Sequence, residues 1–132
     1  MITEERFLRD VAKHEMKILL DDGVHRNVVF KNPADSCFWF GLNTWPQCLC
    51  FYGDMGTFVF ARLPDMFAFF RDINGEGPLR PNVQYWSEKI MATDTGEGHE
   101  KKGKPTFRIM WACYAIQWGI RKYDLEKKGG AN

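Results

Sequence analysis

A chain of 132 residues is about one domain long and, by surface scaling, buries roughly two thirds of the surface its unfolded form exposes, so it needs no covalent staple. Charge is nearly balanced, with 18 Lys and Arg against 17 Asp and Glu; residues 1–98 carry ten basic and fourteen acidic side chains and residues 99–132 eight and three. That asymmetry is too mild for a nucleic-acid footprint, while an aromatic share of 15% is high enough to place some rings at an interface.

The segment Met1 to Asp10 reaches three charged side chains by Arg6 and has no apolar run. It does not read as a signal peptide, and a cytoplasmic location is expected. Cys37, Cys48, Cys50 and Cys113 lie in or beside hydrophobic runs, where free Cys behaves as a small buried hydrophobe and disulfides are not expected.

Thr3 is a candidate cap for a first helix with Glu4 and Glu5 in its first turn. Phe7, Val11 and Ile18, joined by Leu8, Ala12 and Leu19, recur at helical spacing, so one helix is expected to run as far as Asp21-Asp22-Gly23. His14 and Glu15 border its buried stripe. Val24 to Lys31 alternates as a strand, and Asn32-Pro33-Ala34-Asp35 supplies a turn.

Cys37 to Phe60 then packs eight aromatic residues into twenty-four positions. It reads as three strands, broken at Thr44-Trp45-Pro46 and at Gly53-Asp54-Met55-Gly56, the latter a hairpin with Asp54 and Met55 displayed at its tip. Both faces of these strands are apolar, which predicts a four-stranded antiparallel sheet covered on both sides over its middle.

Pro64 suits the first turn of a second helix that ends near Asp72, and Asn82 caps a third in which Val83, Trp86 and Ile90 share a face. Residues 93–105 hold three glycines and many charges and read as a mobile loop. The last helix, about Thr106 to Asp124, is apolar nearly all round: Phe107, Trp111, Tyr114 and Trp118 form one stripe, Ile109, Cys113, Ile116 and Ile120 another, and Ala112, Ala115 and Gly119 a smooth strip between them. Arg108, Gln117 and Arg121 keep it from being a membrane span. A frayed tail is expected over 126–132. The expectation is one α+β domain over 1–132: a four-stranded antiparallel sheet preceded by one helix and followed by two or three packed on it.

FLRDVAKHEMKILLDDGVHR (Phe7–Arg26), the Trp-Pro of Thr44-Trp45-Pro46 and CFYGDMGTFVFARLPDMFAFFR (Cys50–Arg71), followed less closely by Tyr85-Trp86, together resemble a group of small uncharacterised proteins of temperate phages and prophages of enteric bacteria. The resemblance implies a bacterial host cell as the setting, and no particular chemistry.

The candidate chemical motifs have plainer explanations. His14-Glu15 would begin a zincin helix, but position 18 is Ile18 where a second His is required. Cys48 and Cys50 share a strand face, yet only one such pair exists, with His25 or His99 as distant completions, so no metal is expected. A thiol nucleophile at Cys37 or Cys50 would need His14 or His25 beside it, and no local signature places one there. The glycines of Gly53-Asp54-Met55-Gly56 join two strands instead of opening a helix, which suits a turn better than a phosphate loop.

Three functions follow from this reading. The first is a phage accessory factor that binds and inhibits a bacterial host protein stoichiometrically, a defence component of CRISPR type, with Met55, Trp111, Tyr114 and Trp118 as contacts. The second is a small-ligand or nucleotide binder that stacks its ligand on Trp39, Trp45 and Tyr52, with His25 and Arg26 as polar anchors. The third is a small enzyme built on His14, Glu15 and His25. No cofactor, membrane or nucleic acid is expected, and a homodimer is compatible with all three.

Overall fold

The structure is a computed structural model and describes residues 2–72, 75–94 and 106–130. The chain order is α1 (Glu4–Asp10), β1 (Glu15–Asp22), β2 (His25–Lys31), β3 (Phe40–Trp45), β4 (Cys48–Gly53), β5 (Phe58–Ala61), α2 (Met66–Phe70), α3 (Val83–Ser87), β6 (Ile90–Thr93) and α4 (Phe107–Gly130). All strands pair antiparallel with their sequence neighbours, giving one sheet in the order β1-β2-β3-β4-β5-β6. The α+β class and the antiparallel sheet are as expected. The sheet has six strands, not four, and both additional strands arise where helix had been expected.

The first is β1. Thr3 caps α1 as anticipated, its Oγ1 accepting the Arg6 N–H at 3.1 Å, but the helix stops at Asp10. Beyond it Met16 and Ile18 alternate with Glu15 and Lys17, a period of two that also satisfied the helical pattern. Gly23 decides between the two readings, because at φ 63° it holds the first central position of a two-residue turn between the paired Asp22 and His25. Such a turn folds the segment back on β2, with a ladder hydrogen-bonding its whole length. The second is β6: Asn82 caps α3, its Oδ1 accepting the Tyr85 N–H at 3.3 Å, but α3 ends at Ser87 and Ile90 pairs with Phe60.

Among the described residues, helices cover one face only. Val28, Phe30, Phe40, Leu42, Leu49, Phe51, Phe58 and Phe60 are sealed in one cluster with Phe7 of α1, Met66, Phe67 and Phe70 of α2, Trp86 of α3 and eight residues of α4. Alternate side chains on the same strands, including Asn27, Val29, Asn43, Cys48, Cys50, Tyr52, Val59 and Ala61, are only partly buried. The expectation of cover on both sides fails because this outer face is built from Gly, Cys, Tyr, Val and Ala, which look like core in sequence but here shield one another. The smooth strip on α4 serves close approach, since a Cβ on Gly119 would stand 3.1 Å from both Leu42 and Phe30. The helix continues through the expected frayed tail as far as Gly130. Of the expected loop, residues 95–105 lie outside those described, as do the tail residues 131 and 132; Thr93 closes β6 and Asp94 pairs with Arg108 at 3.2 Å.

Arg108 also fixes the β4–β5 hairpin, its Nε donating to the Met55 carbonyl at 2.9 Å. Gly56 has φ 110° and its missing Cβ leaves the space that the Arg108 guanidinium fills. Gly56→Ala therefore meets both a backbone conformation that L residues resist and an occupied position. It is expected to lower stability by about 2 kcal/mol, read from the midpoint of urea unfolding at unchanged slope.

Candidate binding surface on the open sheet face

The strand register assembles the outer face row by row. One row crosses all six strands as Leu20, Asn27, Asn43, Cys50, Val59 and Ala92. A second runs Lys17, Val29, Gly41 and Tyr52, and a third places Trp45, Cys48 and Ala61 side by side. Across β3, β4 and β5 the outer residues are Gly41, Asn43, Trp45, Cys48, Cys50, Tyr52, Val59 and Ala61, none of them charged. Charge is confined to the β1–β2 side, at Glu15, Lys17, Asp22 and Lys31.

Tyr52 organises this face. Its ring lies over Gly41 so closely that any Cβ there would overlap it, and its hydroxyl donates to Asn27 Oδ1 at 2.7 Å. One side chain on β4 thus spans β3 to reach β2. Trp39 meets it edge to face, with ring centroids 5.9 Å apart. Burial, aided by neighbouring Cys50, pushes the Tyr52 hydroxyl above its ordinary pKa against the opposing effect of the Asn27 hydrogen bond. Burial also raises the Cys50 thiol, which disfavours the thiolate a nucleophile requires.

Trp39 is aimed by a strained neighbour. Phe38 has φ 63°, rare for a bulky residue, and three contacts hold it there. Its N–H donates to Asp54 Oδ2 at 2.8 Å, its carbonyl accepts from His14 Nε2 at 2.7 Å, and its ring stacks on Trp111 at 5.8 Å. Asp54 is exposed at the hairpin tip as expected, whereas Met55 is partly buried against the core.

The five residues of the ligand-binding reading divide between the two faces. Trp39, Trp45 and Tyr52 share the outer one, with His25 exposed at its end, but they spread along it and do not converge on a cavity. Arg26 is 6% exposed on the inner face. Its guanidinium forks onto Asp65 at 3.0 and 3.2 Å, donates from Nε to the Tyr123 hydroxyl at 3.3 Å and lies 4.2 Å from the Phe67 ring centre. The Tyr123 hydroxyl donates in turn to Asp21, which also receives Lys127. Asp65 additionally caps α2 through the Phe67 N–H at 3.0 Å. Arg26 is therefore a structural link between β2, α2 and α4 in place of a ligand anchor. The sequence held no signal for this pairing, whose partners lie 39 and 97 positions away.

Of the host-contact residues, Trp111 is fully buried and has no surface to present, with Nε1 donating to Asp10 at 3.0 Å. Tyr114 and Trp118 are partly buried and pack on Phe7. Among the residues of the enzyme reading, His14 sits in the turn after α1, and Glu15 and His25 stand at opposite ends of the β1–β2 ladder, so the three share no centre. Among the described residues no three His, Cys, Asp or Glu side chains are grouped to hold a metal ion, and no helix is long and apolar enough to cross a membrane. Comparison with protein-family models, with curated proteins and with solved structures gives no match for this chain.

Two outcomes follow from these contacts. Gly41→Ala displaces the Tyr52 ring from its buried seat, and relief of that burial, outweighing the lost Asn27 bond, is expected to return the Tyr52 hydroxyl toward pH 10 in an NMR-monitored titration, while the broken bond costs about 1 kcal/mol of stability. Asp65 and Asp21 both titrate below their ordinary value. For Asp65, burial pushes upward and Arg26 more than offsets it; for Asp21, the hydrogen bonds from Lys127 and Tyr123 lower it. A depressed carboxylate stabilises the fold above its unfolded pKa and loses that contribution as pH falls through the folded one. Stability is thus expected to decline below about pH 4, and Asp65→Asn to flatten that decline while lowering stability at pH 7.

Proposed function

We propose that the protein is a stoichiometric binding factor that docks a host protein against its open sheet face. The observation carrying this reading is the uncharged outer surface of β3, β4 and β5, flanked by Trp39, Trp45 and Tyr52 and, among the described residues, left without a helix. The cores of protein interfaces are depleted in charge and enriched in large aromatic residues, and a sheet of six strands at ~4.8 Å spacing offers a platform about 24 Å wide. In the setting implied by the resemblance to phage and prophage proteins, the factor acts in the bacterial cytoplasm, its target is a host defence component of CRISPR type, and its action is occlusion. The contacts move accordingly from the α4 aromatics to the sheet.

The test is capture from a bacterial lysate on the immobilised native chain and on three variants whose folding is checked by circular dichroism. The native chain is expected to retain one host protein in near-stoichiometric amount. Asn43→Lys and Val59→Lys, each placing a charge in the middle of the face, should abolish retention, and Trp118→Ala on the helical side should leave it unchanged. Retention that survives both lysines, or its absence from the native chain, overturns the reading.

A further inference from the structure

We infer that the free edge of β1 is a self-association surface, through which two copies of this chain join their sheets antiparallel about a two-fold axis. The inference stands apart from the docking reading, because it concerns the edge of the sheet and not its face.

β1 is an outer strand eight residues long, twice the length of β6 at the opposite margin. Among the described residues no strand pairs with its far side. Such an edge presents a row of backbone donors and acceptors that another strand can complete. It also carries Leu19 and Leu20, which are 54% and 48% exposed. Apolar side chains so exposed on an unpaired edge favour cover by another chain.

The register selects the partner. In the ladder to β2, Glu15, Lys17, Leu20 and Asp22 stand opposite Lys31, Val29, Asn27 and His25, on the outer face. Met16, Ile18 and Asp21 stand opposite Phe30, Val28 and Arg26, on the inner face, and Leu19 is the extra residue where the register shifts between Ile18 and Leu20. A two-fold axis normal to the sheet keeps outer residues opposite outer residues. With Leu19 set aside, an axis at Leu20 sets that side chain against its own copy and each Lys17 opposite Asp22 of the second copy. Ile18 then faces an Asp21 already held by Tyr123 and Lys127.

The other registers with comparable overlap are unfavourable. An axis at Ile18 opposes Glu15 to Asp22, two carboxylates, and an axis at Lys17 opposes that ammonium to its own copy. Opposite charges directly across a strand pair stabilise it, and like charges destabilise it. The edge is therefore complementary in charge to itself in the one register that also brings the exposed leucines together, which makes a second copy the fitting occupant.

Light scattering on the eluting 132-residue chain, loaded between about 1 μM and 0.1 mM, tests this. The native chain is expected to pass from monomer to dimer over that range. Leu20→Lys, at a position exposed enough to accept it without unfolding, is expected to stay monomeric throughout. Lys17→Asp and Asp22→Lys should each weaken dimerisation about tenfold, and the double variant, which restores the opposite pair with its signs exchanged, should recover most of the loss. A native chain still monomeric at about 0.1 mM, a dimer indifferent to Leu20→Lys, or a double variant no tighter than the single ones each overturns the inference.

Discussion

The fold depends on a single layer of helix being laid against one face of a six-stranded sheet. Trp111 is the centre of that contact, with its ring against Phe7, Phe38, Phe40 and Phe51 at centroid distances of 5.0 to 6.3 Å, and removing a side chain of that size from a core typically costs about 3–5 kcal/mol. Two strips of α4 make the approach possible. Ala112, Ala115 and Gly119 allow the helix axis close to β2 and β3, and Ile109, Ile116 and Ile120 fill the flanks. With α1, α2 and α3 contributing to the same cluster, every described helix is committed to the inner face. The outer face must then be compatible with water or with a partner.

Polar links fix where the helices sit on this apolar contact. Arg26 enters the inner face from β2 and is matched by the Asp65 carboxylate, the Tyr123 hydroxyl and two aromatic rings. Removing one member of such a buried group costs more than the intact pair contributes, because a charge is left without a counterpart. The arrangement therefore penalises any misplacement of α2 or α4. Arg121 does the same on the far side of α4, reaching Asp72 at 2.9 Å and the Gly77 carbonyl at 2.7 Å. Hydrophobic burial supplies most of the stability, and these directional contacts select one arrangement from those the apolar surfaces would tolerate.

How much of this was legible in sequence follows from which signals are local. The caps at Thr3 and Asn82, the hairpin at Gly53-Asp54-Met55-Gly56, the α+β class and the smooth strip of α4 are all expressed within a few residues, and all are found. β1 is ambiguous in sequence because Phe7, Val11 and Ile18 satisfy a period of 3.6 while Met16 and Ile18 satisfy a period of two. Pairing with β2, a tertiary matter, resolved the ambiguity. The outer face reads as core for a related reason. Hydropathy reports the composition of Cys48, Cys50, Val59 and Ala61, not whether a helix lies over them. Arg26 reads as a surface anchor because its partners are remote in sequence, and Trp111 and Met55 read as surface because nothing in a helical stripe or a hairpin tip states which side chain the fold will cover.

The strain at Phe38 connects these levels. A phenylalanine at positive φ is held by Asp54 from the β4–β5 hairpin, by His14 from the turn before β1 and by Trp111 from α4, three elements that meet only in the completed fold. A conformation costing of order 1–3 kcal/mol persists only where its surroundings over-determine it. Its consequence lies one residue on, since the backbone reversal puts Phe38 inward on Trp111 while Trp39 goes outward on Tyr52. Tyr52 in turn depends on the absence of a side chain at Gly41. The position of the aromatic pair on the open face is thus set from the opposite side of the sheet, by the helix layer itself. A change in the core at Trp111 would reach the outer surface through Phe38 and Trp39, without any residue of that surface being altered.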